Sequence, residues 1–143
     1  MKKLALALVL AVLLPIGAEG QDLDIVRVDS LMAVATDQVQ SAAIAAARED
    51  ADAIGERWIE LFGYGGLFAE GILGELAAAG CDTPWLRAAL FWLSNTLSLA
   101  EERSEASEMD QWPNGPEVIL DRLEDVQETW AGIKEDPGLY CGP

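Results

Sequence analysis

The chain has 143 residues, no histidine and two cysteines, and its 25 acidic residues far outnumber its 9 basic ones. A net charge of −16 disfavours nucleic acid and anionic lipid as partners, because both repel an acidic surface. Without histidine the chain lacks the base of a serine triad and the usual haem ligand, and two thiols are too few for a structural zinc site. We therefore predict neither a metal nor a cofactor.

The first twenty residues have the pattern of a secretory signal peptide. Two lysines follow the first methionine, an unbroken apolar run spans residues 4–14, and small residues stand at Ala18 and Gly20. The run is shorter than the roughly 20 residues that cross a bilayer. We predict a signal peptide over residues 1–20, cleaved after Gly20 or alternatively after Ala18, and a periplasmic or secreted protein with no transmembrane segment after its removal.

Residues 21–143 then form a single predicted α-helical domain, which carries 7 basic and 24 acidic residues. Such a surface favours solubility, also in saline surroundings, and it attracts basic proteins. The choice between a saline habitat and a basic partner stays open at this point.

The first predicted helix begins after an N-cap at Asp29 or Ser30 and runs to Phe62, with a kink near Gly55. Residues 22–28 are predicted as an extended or frayed lead-in. The helix is indicated by small and apolar residues at steps of three and four, namely Met32, Ala35, Val39, Ala42 and Ala46. Alanine on this stripe favours a close approach of neighbouring helices.

Residues 63–66 read Gly-Tyr-Gly-Gly and predict a turn. A short helix follows over residues 67–79, with Gly80 as the glycine just past its end. The next helix has Thr83 as its cap and Pro84 at its first position, and it runs to about Met109. The last helix starts at Pro116 and presents Ile119, Leu123, Val126, Trp130 and Ile133 on one face.

The helix that starts at Pro84 is apolar nearly all round in its first half, which is typical of a helix at the centre of a bundle or covered by another molecule. Trp85 and Trp92 lie one heptad apart on it. Tryptophan is enriched among the residues that anchor interfaces. We predict that a protein or an apolar ligand contacts this helix at Trp85, Leu86, Trp92 and Leu93.

The two cysteines, Cys81 and Cys141, are predicted to form a disulfide, because an exported chain with an even number of thiols tends to pair them. The bridge would pin the C-terminal tail to the turn before Pro84. A reactive Cys81 at a helix start is the alternative.

The predicted fold is all-α: an up-and-down bundle of about four helices, stapled by one disulfide. The predicted function is that of an exported, non-enzymatic binding protein. Two alternatives stay open. One is a structural component of an envelope assembly. The other is a small hydrolase that uses Glu60 or Glu70 together with Glu75, since glycoside hydrolysis needs only two carboxyl groups.

Overall fold

A computed structural model describes residues 22–63, 69–81 and 83–141, so the predicted signal peptide lies outside the described residues. That part of the chain is helical with no strand, which confirms the all-α prediction. It contains six α-helices and one 3₁₀ turn where about four helices were predicted. The helices are α1 (Ile25–Ala47), α2 (Ala51–Phe62), α3 (Ala69–Ala78), α4 (Pro84–Glu105), α5 (Gly115–Glu135) and α6 (Pro137–Tyr140), and the 3₁₀ turn is Met109–Gln111.

Helix α1 begins about one turn earlier than predicted. The side chain of Asp24 caps it by accepting a hydrogen bond from the backbone N–H of Arg27 at 3.0 Å. Val28, which was predicted in a frayed lead-in, is fully buried and extends the apolar stripe by one turn. The predicted cap at Asp29 or Ser30 was therefore wrong, because both residues lie inside the helix.

The long first helix predicted up to Phe62 is in fact a hairpin of two helices. The N–H of Asp50 donates to the carbonyl of Ala45 at 3.0 Å, and the N–H of Glu49 donates to that of Ala46 at 3.1 Å. This pair of bonds is a Schellman motif, and Glu49 takes its left-handed position with φ of 56°. Asp50 then caps α2 through the N–H of Ala53. The chain reverses within three residues.

The four longer helices, α1, α2, α4 and α5, alternate in direction as an up-and-down bundle. Antiparallel α1 and α5 are joined by hydrogen bonds from Gln127 Nε2 to Thr36 Oγ1 at 2.9 Å and from Trp130 Nε1 to Asp29 Oδ1 at 2.7 Å. Helices α2 and α4 also run antiparallel, since Asp52 at the start of α2 lies near Glu105 at the end of α4, while Gly55 lies against Glu101, one turn earlier on α4. The short helices α3 and α6 close one end of the bundle.

Helix α1 contributes small side chains to the core, as its alanine stripe predicted. Five of its alanines are buried, at positions 35, 42, 43, 45 and 46. Small side chains let the backbones of neighbouring helices come close, and the larger residues of those helices fill the remaining space. The largest fully buried side chains outside α1 include Ile54, Leu61, Ile72, Leu76, Leu86, Leu93, Leu97, Ile119 and Ile133.

Candidate functional site

The disulfide between Cys81 and Cys141 is present, as predicted, and closes a separation of 60 residues. Cys81 is buried directly after Gly80, whose φ of 70° gives the left-handed conformation expected of a glycine that ends a helix. In the chain-entropy model, a cross-link that closes a loop of this length stabilises the folded protein by about 4 kcal/mol. The bond fixes the segment that leads into α4 against the C-terminal end of α6.

Helix α4 has two apolar faces, and only one of them belongs to the core. Leu86, Leu90, Leu93 and Leu97 recur at steps of three and four and are buried. The predicted contact residues Leu86 and Leu93 are therefore corrected: both are fully covered by this chain's own helices and offer nothing to a partner. None of the helices in the described ranges, α4 included, has the length and apolarity needed to span a bilayer.

The opposite side of α4 carries exposed aromatic rings. Trp85 is 74% exposed, Phe91 59% and Trp92 54%. The rings of Phe91 and Trp92 lie edge to face with centroids 5.7 Å apart. We call Trp85, Phe91, Trp92 and two exposed leucines, Leu99 of α4 and Leu139 of α6, the aromatic face. Sequence reasoning identified the two tryptophans but not the other three members.

Leu139 joins this surface because α6 packs next to the start of α4. Trp85 and Leu139 line one shallow depression together with Tyr140, Pro84 and Thr83. The disulfide at Cys141 holds this arrangement, since it fixes the residue that follows α6. The aromatic face thus combines residues that are separated by some fifty positions in the sequence. Nothing in the sequence of the C-terminal tail indicated that Leu139 belongs to it.

The charge around the aromatic face differs from that of the rest of the surface. Residues 84–100 contain no acidic residue, although acidic residues are abundant elsewhere. The guanidinium of Arg122 on α5 lies 5.9 Å from the centre of the Trp92 ring and pairs with Asp125 at 3.1 Å. Acidic residues resume at the C-terminal end of α4 with Glu101 and Glu102. The aromatic face therefore carries no carboxylate, Arg122 lies beside its Trp92 ring, and Glu102 and Asp125 stand at its borders.

The three remaining tryptophans serve the fold. Trp130 is buried, and its Nε1–H donates to Asp29, which also receives a hydrogen bond from Lys134 Nζ at 3.0 Å. These bonds, that from Trp130 first, lower the pKa of the Asp29 carboxyl. Trp58 packs on Phe62, and Trp112 covers the first residue of α5. Among the five tryptophans, only Trp85 and Trp92 are more than half exposed.

The carboxylates of the hydrolase alternative are held by arginines. Glu75 pairs with Arg27 at 2.6 Å, and Glu60 pairs with Arg57 at 3.0 Å. Arg57 also donates to Gln38 of α1. Gln38 lies eleven residues beyond Arg27 in α1, so the arginine that holds Glu75 and the contact of the arginine that holds Glu60 lie about 16 Å apart along this helix. Catalytic carboxyl pairs in glycosidases lie roughly 5–10 Å apart. Glu70 belongs to α3, but its side chain lies outside the described residues.

A groove between α2 and α4 was not foreseen from the sequence. The carboxylate of Glu101 lies over Gly55, where a Cβ atom would come within 2.5 Å of its Oε1 atom. Burial, and secondly the charge of Glu105, raises the pKa of Glu101. Across the described ranges, no three carboxylates or cysteines are grouped so that they could hold a metal ion. The groove has a volume of about 450 Å³ and is lined by Ala51, Asp52, Gly55, Glu56, Ile59, Glu60, Glu101 and Glu105.

Comparisons of the chain with protein-family models, with curated proteins and with solved structures found no match in any of the three. The function is therefore argued from the residues of this chain and from their arrangement.

Proposed function

We propose that this is an exported, non-enzymatic binding protein that contacts a basic protein partner through the aromatic face. The observation that carries the proposal is the exposure of Trp85, Phe91 and Trp92 on a helix whose other face already fills the core. Burying one large apolar side chain is worth about 1.5–3 kcal/mol. Three rings on one helix are thus left uncovered by the described residues, and their burial by a partner would favour association.

Export is proposed from residues 1–20, whose basic start, apolar run and small residues match a signal peptide. The disulfide is compatible with an oxidising compartment outside the cytoplasm. In such a compartment the bond would keep Leu139 beside Trp85, so that the aromatic face would be complete only in the oxidised protein.

The charge distribution selects the kind of partner. Residues 21–143 carry 24 acidic and 7 basic residues, so a second copy would bring two strongly acidic surfaces together. A partner with an apolar centre and a border of lysine or arginine would instead complement both the rings and the carboxylates around them. The same surface would serve a structural role in an envelope assembly, provided that the neighbouring component has this chemistry.

The proposal is tested by site-specific photo-crosslinking of the exported protein in its own host. A photoreactive residue replaces Trp85 in one variant and Trp92 in another, and as matched controls it replaces Glu124 and Ala131 on the exposed side of α5. We expect a discrete adduct of higher mass from positions 85 and 92 only. The yield of the adduct should fall in high salt. Mass spectrometry should identify a partner whose contact region is basic.

Equal labelling from all four positions, or none from positions 85 and 92, would contradict the proposal. An adduct with twice the mass of this chain would show that the occupant is a second copy, and the assignment of a basic partner would then be wrong.

A further inference from the structure

The exposed side of α4 has a regular spacing that its composition alone does not reveal. Trp85, Ala88, Trp92, Asn95 and Leu99 follow one another at steps of three, four, three and four residues, and all five are exposed. This is the spacing of the a and d positions of a coiled coil. Helix α4 thus has a second helix-packing stripe beside the buried stripe of leucines.

We infer that the partner presents an amphipathic α-helix with basic flanks, which lies along this exposed stripe of α4. The inference rests on the proposed function, and it adds the structural class of the contacting element. Fourteen residues separate Trp85 from Leu99, so the stripe is about 21 Å long. A partner helix of about four turns would cover it.

Side-chain size along the stripe fits the packing of one helix on another. Ala88 is small and stands between Trp85 and Trp92 along the stripe, so the sequence of side-chain sizes, large, small and large, predicts a notch at Ala88. An apolar side chain of a partner helix would fit into this notch as a knob fits into a hole. Asn95 adds a polar position to the stripe, and one polar residue in such a seam fixes the register of the two helices.

Charge complementarity favours a basic helix over an acidic or neutral one. The stripe itself contains no charged residue, and the only charge among residues 84–100 is Arg87. Beyond it, Glu102 follows Leu99 on α4, and Asp125 lies on α5 next to Arg122 above the Trp92 ring. Lysine or arginine on the flanks of a partner helix would face these carboxylates.

The test uses two labelled peptides of 18 residues made of leucine and lysine only. One has its leucines at helical spacing, and the other has the same composition in scrambled order. Fluorescence anisotropy measures their binding to the oxidised protein at about 0.15 M ionic strength. We expect the amphipathic peptide to bind about tenfold or more tightly than the scrambled one, because only the former presents an apolar stripe.

Two variants with the same change in charge localise the binding. Ala88→Arg fills the notch, whereas Ala131→Arg places the same side chain on the exposed side of α5. We expect Ala88→Arg to weaken binding of the amphipathic peptide about tenfold or more and Ala131→Arg to weaken it less than about threefold. Phe91→Ser, which lies outside the stripe, should also weaken it less than about threefold. Circular dichroism checks that all three variants fold.

Equal affinity for both peptides, or equal losses in the two arginine variants, would show that charge alone drives binding and would overturn the helix inference. A loss in Phe91→Ser as large as that in Ala88→Arg would also overturn it, since the contact would then centre on the aromatic pair. Neither result would affect the photo-crosslinks, on which the proposed function depends. Sedimentation that shows a dimer dissociated by Ala88→Arg would overturn both proposals in favour of self-association.

Discussion

Helices α4 and α5 are nearly equal in length and pack against each other, yet their outer faces differ in kind. Helix α4 has 22 residues and α5 has 21, and each buries one stripe of large apolar side chains. The outer face of α5 is acidic, with exposed carboxylates at positions 117, 121, 124, 125 and 128. The outer face of α4 exposes three aromatic rings. Since each helix already buries one apolar stripe, the core of the described residues does not require exposed rings on α4.

The tryptophans of the two helices show the same contrast. Trp130 on α5 is buried, and its ring N–H is satisfied by Asp29. Trp92 on α4 is more than half exposed, and the guanidinium of Arg122 on α5 lies 5.9 Å from the centre of its ring. A tryptophan inside the core has its polar atom paired, as burial requires. One that is held at the surface keeps its ring available, which supports a binding role for α4.

The largest difference is expected when adjacent residues on the two faces of α4 are truncated. Leu93→Ala should lower the free energy of unfolding by about 2–5 kcal/mol, because it leaves a cavity in a closed core. Trp92→Ala should lower it by less than about 1 kcal/mol, although more atoms are removed, because the ring is largely solvated. Urea denaturation followed by circular dichroism measures both values.

The matched control on α5 is the pair Val126→Ala and Asp125→Ala, which again joins a buried residue to an exposed neighbour. Val126→Ala should lower the free energy of unfolding more than Asp125→Ala. If Trp92→Ala destabilised the protein as much as Leu93→Ala, the rings of α4 would be part of the fold, and the main observation behind the proposed function would be lost.

The sequence was sufficient for the fold class and the disulfide because both follow from local signals. The caps at Gly80 and Pro84, the apolar periodicity and the two cysteines needed no tertiary information. The turn between α1 and α2 was missed because it uses Glu49 in a left-handed conformation that usually calls for glycine. Ser107 has the same conformation after α4. Neither residue type signals the end of a helix.

The surface was predicted only in part, and the reason is geometric. A segment that is apolar all round gives no indication of which side faces the core, so Leu86 and Leu93 were grouped with Trp85 and Trp92. The packing of the neighbouring helices determines which side of α4 is buried. Leu139 joined the surface only through the packing of α6 and the disulfide.

A smaller effect is expected where α5 is joined to α1 through the buried tryptophan. Asp29→Ala should lower the free energy of unfolding by about 1–3 kcal/mol at neutral pH, because the ring N–H of Trp130 loses its acceptor in a buried position. The pKa of Asp29 is lowered from its ordinary 3.8 in the folded state, so its contribution is present above that value and is lost as pH falls through the folded pKa.

Thermal unfolding of the native protein and of Asp29→Ala at several pH values checks this dependence. The difference between them should narrow below pH 3.8, where the carboxyl takes up its proton first in the unfolded chain. Ser30→Ala, on the exposed neighbouring position, is the control and should show no such narrowing. A constant difference across the whole pH range would mean that Asp29 acts through packing alone.

The smallest effect, and the only one with the opposite sign, is expected on the side of α4 that faces α2. The pKa of Glu101 is raised above its ordinary 4.5 by burial and by Glu105, so its charged form is disfavoured in the folded state. Glu101→Gln should therefore raise the melting temperature at pH 7, and the gain should disappear as pH falls below 4.5, where the carboxyl is protonated in both states.

Glu102→Gln removes the same charge from the exposed neighbouring position and is the matched control for the net charge of the protein. The rise in melting temperature of Glu101→Gln beyond that of Glu102→Gln reports the local burial of Glu101 against Gly55. Equal gains from both would show that the general acidity of the surface, and not this groove, limits stability at neutral pH. In that case the aromatic face of α4 would differ from the rest of the surface in two respects, its lack of carboxylates and its exposed rings.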